Sequence, residues 1–163
     1  MIDLKKSDAR ARYARRKIVA VGLGAFAAAA VPRLGHATPA EVTASILEVF
    51  GNGKVRDGRV ALIAPKLAET GNSVPITVQV DSPMTEADYV RRIAVFAEQN
   101  PRPKIVELFF SPASGLAEVE TSIRLSGTQG VVVVAEMSDG SLWRTREQIR
   151  VVVGACTALS MRY

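Results

Sequence analysis

Cys156 is the residue of this chain whose type and setting point most directly to covalent chemistry. It is the only cysteine among 163 residues, and it follows Gly154 and Ala155 and precedes Thr157-Ala158-Leu159-Ser160-Met161-Arg162-Tyr163. Gly154 has wide φ/ψ freedom and Ala155 adds only a methyl group, so the thiol can move relative to the fold before it and enter narrow spaces. Three residues beyond Val153 give a reach of about 10 Å if extended. A thiol is a nucleophile only as thiolate, and a free cysteine with a pKa of about 8.5 is mostly protonated at neutral pH unless cations or a helix terminus lower it. Only Arg150 and Arg162 stand near it in sequence, on opposite sides and some way off. Composition alone leaves three readings open: a functional thiol, a fortuitous tail cysteine, and an intermolecular disulfide.

The other end of the chain reads as an export signal over residues 1–37. A basic stretch ending in Arg15-Arg16-Lys17 precedes the uncharged run Ile18 to Val31, then Pro32 and the small-residue site Gly35-His36-Ala37. The uncharged run spans about 21 Å as a helix, short of the ~30 Å hydrocarbon core, so a transmembrane helix is the weaker reading and no membrane association is expected after cleavage. The paired arginines before an Ala- and Gly-rich apolar stretch resemble a twin-arginine signal, with Ala14 where a Ser or Thr is usual. An ordinary secretory signal and an uncleaved anchor are the alternatives. Cleavage after Ala37 would start the mature chain at Thr38 in the periplasm.

That signal accounts for most of what first looks functional. The chain carries a net charge of +5, but residues 1–37 hold eight Lys and Arg against Asp3 and Asp8, leaving the remainder at −1. A nucleic-acid partner therefore has no basic surface to explain. The only histidine, His36, leaves with the signal, so a Ser-His-Asp or Cys-His pair and a four-ligand zinc site are excluded from the mature chain. No metal or cofactor motif is expected, because the one glycine pair of interest, Gly22-Leu23-Gly24, lies inside the signal.

The elements that must carry the thiol follow from periodicity. Thr38-Pro39-Ala40-Glu41 has the form of a helix start, with Thr38 as N-cap, Pro39 at the first position and Glu41 as the capping-box acid. Val42, Ile46, Val49 and Phe50 recur at helical spacing, which predicts a helix over about 40–50, with Gly51 as a left-handed cap. Beyond residue 59 the period is two. Val74, Ile76, Val78 and Val80 share one face, as do Ala117, Val119, Thr121, Ile123 and Leu125. Further strands are predicted at 59–63, 90–97, 104–110, 131–137, 141–145 and 147–153. Seven or eight short strands separated by turn signals such as Asp81-Ser82-Pro83 and Ser138-Asp139-Gly140 indicate an all-β fold, an immunoglobulin-like antiparallel β-sandwich with a short N-terminal helix. A barrel is the alternative. The β-branched run Val131 to Val134 implies a strand covered on both faces, by the monomer's own core or by a partner chain. Trp143, near Arg144 and Arg146, suits either the core or an aromatic-basic contact surface.

Five segments of the chain resemble the SoxY family, the sulfur-carrier subunits of bacterial thiosulfate oxidation. They are Val74-Pro75-Ile76-Thr77-Val78, Asp81-Ser82-Pro83-Met84, Phe96-Ala97-Glu98-Gln99-Asn100-Pro101-Arg102-Pro103, Ser111-Pro112-Ala113-Ser114-Gly115 and Val134-Ala135-Glu136-Met137-Ser138-Asp139-Gly140. The resemblance implies an immunoglobulin-like domain over residues 38–153 and an exported protein, often routed by a twin-arginine signal. It implies pairing with a SoxZ subunit, and a covalent sulfur attachment site on a C-terminal arm, here residues 154–163. The family cysteine sits in a Gly-Gly-Cys-Gly-Gly arm, and Cys156 corresponds to it. Gly154 matches that pattern, whereas Ala155, Thr157 and Ala158 replace glycines, and Leu159 to Tyr163 have no counterpart.

In the cycle the resemblance implies, a c-type cytochrome enzyme couples thiosulfate to the thiol, a hydrolase releases sulfate, and a sulfane dehydrogenase oxidises the sulfur that remains. The carrier itself is then no enzyme and needs no cofactor. A cysteine without nearby activating groups fits that part, since the sites it visits supply the reactivity. Competing readings are an exported immunoglobulin-like binding module, or a paralogue in which Cys156 carries no sulfur.

Overall fold

A computed structural model describes residues 38–155 of the chain. The signal read at 1–37, and Cys156 with the tail to Tyr163, lie outside the described residues. Helix α1 (Pro39–Phe50) begins as the sequence predicts: the Thr38 hydroxyl accepts from the Glu41 amide at 3.3 Å, and Glu41 Oε2 accepts from the Thr38 amide at 2.7 Å. Its end differs from expectation. Gly51 has φ 74° but ψ −166°, so it leaves the helix through an extended turn and not through a left-handed cap.

Nine strands follow: β1 (Val55–Asp57), β2 (Val60–Ile63), β3 (Leu67–Thr70), β4 (Val74–Val80), β5 (Val90–Ala97), β6 (Lys104–Phe109), β7 (Glu118–Ile123), β8 (Gln129–Met137) and β9 (Leu142–Val153). One sheet has the order β1-β9-β8-β5-β6, with β3 also on β9, and the other has β2-β4-β7. Two separate sheets make a sandwich and exclude the barrel. Three details depart from the sequence reading. The strands expected at 141–145 and 147–153 are one continuous strand, β9, because its pairing with β8 runs unbroken from Leu142 to Ile149. Strands β1 and β3 were not expected, being short and carrying Arg56, Asp57, Glu69 and Thr70. Both pair in parallel with β9, and these two are the only parallel pairings among the described strands.

The core fills the space between the sheets. Val74, Ile76, Val78 and Val80 of β4 are buried, as their alternation requires, and pack with Ile93, Val95, Val131, Val133, Ile149 and Val151. A second cluster lies on the outer face of the larger sheet, where Val42 of α1 meets Ala94, Phe96, Val132 and Val134, flanked by Ile46, Val49 and Phe50. This resolves the Val131 to Val134 run. Val131 and Val133 face the second sheet while Val132 and Val134 face α1, so the chain's own helix supplies the cover and the run gives no argument for a partner.

Candidate functional site

The arm is carried by β9, and the residues around its last turn are where the site is built. Gly154 and Ala155, both half-buried, are the last described residues before Cys156. Three peptide groups from distant parts of the sequence meet there in one hydrogen-bonded run. The Gly71 amide donates to the Val153 carbonyl at 2.7 Å, the Leu125 amide donates to the Gly71 carbonyl at 2.8 Å, and the Ala155 amide donates to the Leu125 carbonyl at 2.9 Å. Gly71 occupies the turn between β3 and β4, and Leu125 the loop between β7 and β8. The backbones approach so closely that a Cβ on buried Gly71 would overlap the Leu125 carbonyl oxygen, and one on Gly154 would overlap the Ser126 carbonyl oxygen. Glycine is required here by contact.

The loop that grips the arm is itself held by a polar network. Gln129 is almost fully buried, and its Oε1 accepts from the Gln99 amide at 2.6 Å while its Nε2 donates to Asn100 Oδ1 at 2.9 Å and to the Gly127 carbonyl at 3.2 Å. Asn100 Oδ1 also accepts from the Ser126 amide at 2.9 Å, and Asn100 Nδ2 donates to the Arg124 carbonyl at 2.8 Å. The Ser126 hydroxyl donates to the Gln99 carbonyl at 2.7 Å. The Thr128 hydroxyl, in the same loop, accepts from the amide of Val151 on β9 and donates to its carbonyl. The segment Glu98 to Pro103 thus has a structural task that its sequence did not disclose: it buttresses residues 124–128.

Around this root the surface is apolar and weakly basic. Leu67, Val152 and Val153 are exposed, and Lys66 and Arg150 line an open groove of about 440 Å³ with Leu67, Glu147 and Gln148. Among the described residues no group of three His, Cys, Asp or Glu side chains could hold a metal ion. The groups whose pKa values move belong to ion pairs elsewhere. Hydrogen bonding to Arg146 holds the Glu98 carboxyl below the usual carboxylate range against the opposing effect of burial, and Lys104, with Arg92, does the same for Glu107. Arg146 grips Glu98 through two hydrogen bonds at 2.7 and 2.8 Å. Trp143 lies at the opposite end of β9 from the arm, half-buried, with Arg56 and Arg59 within about 6 Å of its ring. The described residues at this root are thus backbone groups, apolar side chains and the charged groups Lys66, Glu147 and Arg150 of the groove.

A family model described as sulfur oxidation protein SoxY matches residues 46–156, an interval that ends on Cys156. No curated protein matches the chain. Among solved structures, the sulfur carrier protein SoxY from Chlorobium limicola f thiosulfatophilum is similar with a TM-score of 0.61 and 25% identity, over 71% of this chain and 100% of that one. A superoxide reductase (neelaredoxin) from Ignicoccus hospitalis is similar with a TM-score of 0.52 and 18% identity, over 71% of this chain and 94% of that one. The superoxide reductase from Nanoarchaeum equitans gives 0.50 and 14%, over 60% and 99%. The two reductases share the fold alone.

Proposed function

The chain belongs to the SoxY family of sulfur oxidation proteins, and on that premise we propose that it is a periplasmic sulfur carrier which holds sulfur intermediates covalently on Cys156. The observation that carries the reading is the extent of the family match, which runs through the sandwich and ends on the chain's only cysteine, one residue past Ala155. Loading by thiosulfate is then an oxidative coupling: the Cys156 thiolate and thiosulfate form a new S–S bond and release two electrons to a c-type cytochrome partner. Hydrolysis of the adduct by water next releases sulfate and two protons and leaves a persulfide anion on Cys156. A sulfane dehydrogenase would oxidise that remaining sulfur. On this reading the carrier supplies none of this chemistry, and the reactivity of the thiol comes from the enzyme sites it visits.

The remaining assignments belong to the same proposal. Residues 1–37 are an export signal of twin-arginine type, residues 38–153 the sandwich, and 154–163 the arm. A cysteine-free SoxZ-like subunit is the stable partner, and the cytochrome, hydrolase and dehydrogenase are transient ones.

The decisive experiment is Cys156→Ser. The variant should fold and bind its partner subunit as wild type does, since β9 and the core end before residue 156. It should lose thiosulfate-dependent turnover in a reconstituted system, and wild type should show mass adducts of sulfur or thiosulfate on Cys156 that the variant lacks. Equal turnover by both proteins would overturn the reading and leave a binding module.

A further inference from the structure

A carrier arm that were loose from its first residue would need no close backbone contacts at its root, yet this one has two that tolerate no side chain. Gly154 faces the Ser126 carbonyl and Gly71 faces the Leu125 carbonyl, each too near for a Cβ. The hydrogen-bonded run from Val153 through Gly71 and Leu125 to Ala155 closes around the same point. Gln129 and Asn100 fix the loop from beneath with five hydrogen bonds. Two chain segments, the Gly71 turn and the Leu125–Ser126 loop, thus close on the first two residues of the arm, and a third braces the loop.

We infer that Gly71, Leu125, Ser126 and Gly154 form a backbone clamp that fixes the arm at Ala155, so that Cys156 is delivered on a tether one residue long. The functional value of the clamp rests on the carrier reading above, whereas the clamp itself does not. Gly154 is on this account a positioning residue: it is glycine to let the strand pass against Ser126, and it is not the hinge. The geometric consequence is sharp. With consecutive Cα atoms 3.8 Å apart, the Cys156 sulfur stays within about 7 Å of the Ala155 Cα. Any partner enzyme that reaches this sulfur must therefore also meet the 124–128 loop and the turn at Gly71, which makes those two loops part of the contact surface for every such partner. Enzymes acting on the same sulfur must present compatible rims around their entrances.

The test is amide hydrogen exchange on the full chain, in complex with its partner subunit where one is present. The Ala155 amide should exchange at least about 100-fold slower than in an unfolded chain, together with those of Gly71 and Leu125. Exchange of Ala155 at the unprotected rate in wild type would overturn the clamp. Gly154→Ala should then accelerate Ala155 exchange at least about tenfold while Val133 in the core keeps its protection, and it should shift a nitroxide on Cys156 toward faster motion. Gly127→Ala, where the added methyl enters open space, should change neither. A folded Gly154→Ala with unchanged exchange and label mobility would overturn the inference. Should that variant not fold, Asn100→Ala serves instead: it removes the support under Ser126, and unchanged Ala155 exchange would count against the clamp. None of these readouts uses sulfur turnover, so the clamp and the carrier reading fail separately.

Discussion

Glu98 and Arg146 show how single residues at the end of β5 are tied to β9. The carboxyl is held below its ordinary range by the guanidinium, so the folded pKa lies under the unfolded value of about 4.3. Such a group stabilises the fold fully above its unfolded pKa and loses that contribution as the pH falls through the folded one. The stability difference between wild type and Arg146→Gln should therefore be widest near neutral pH and narrow as the pH drops below about 4, as urea unfolding at a series of pH values will read. A gap that grows on acidification would contradict the assignment. Gln129 marks where residue-level reading stops. In the sequence it stands between Thr128 and Gly130 as one polar residue before an apolar run, and nothing local tells it from a solvent-facing glutamine. Its partners, Gln99 and Asn100, lie some thirty positions away, and only the pairing of β5 with β8 brings them together. The reading of Cys156 rests on the sequence alone, since a lone thiol near a chain end is noticed without tertiary context and lies outside the described residues.

Elements whose signals are local came through best. The Thr38-Pro39-Ala40-Glu41 start carries its own hydrogen-bonding scheme, and the structure forms both halves of the capping box. Thr38→Ala should cost about 1 kcal/mol in chemical unfolding, because it leaves the Glu41 amide without that acceptor at the helix end. No measurable loss would mean that packing of Val42, Ile46 and Phe50 alone holds the helix. The half-buried strand β4 was equally plain, since alternation is a one-strand property. Strands β1 and β3 were invisible because β9 supplies their pairing and their residues give no period. The junction expected near residue 146 failed for a related cause: Thr145-Arg146-Glu147-Gln148 is polar, but β8 lies alongside it and Arg146 reaches Glu98, so the strand continues.

For the whole molecule, the split of charge is the most useful property. With residues 1–37 carrying the excess of basic groups, the remainder of the chain has a net charge of −1 and so gives no overall attraction to nucleic acid. The proposed processing and assembly can be read in one measurement. Native mass spectrometry of protein isolated from the periplasm should give a subunit beginning at or within a few residues of Thr38, bound to a second, cysteine-free subunit. A full-length chain, or a processed monomer that gains no stability from a SoxZ-like partner, would count against the assignment. Of the two covers the sequence allows for the Val131 to Val134 run, the monomer's own core is the one found, because α1 covers the outer face. Exposed Leu67, Val152 and Val153 stand instead beside the arm.

The way β9 is seated also has a mechanical meaning. Its C-terminal end is bonded in parallel to β3 and continues from a long antiparallel ladder with β8. A force applied to the C-terminal end of β9 along the strand axis would cross several of these hydrogen bonds at once. The rungs with β3 would then be loaded in shear and share the force, whereas a pull across the strand would meet the β8–β9 hairpin at its open end, one rung at a time. The end of β9 is therefore better braced against a pull along the strand than against one across it.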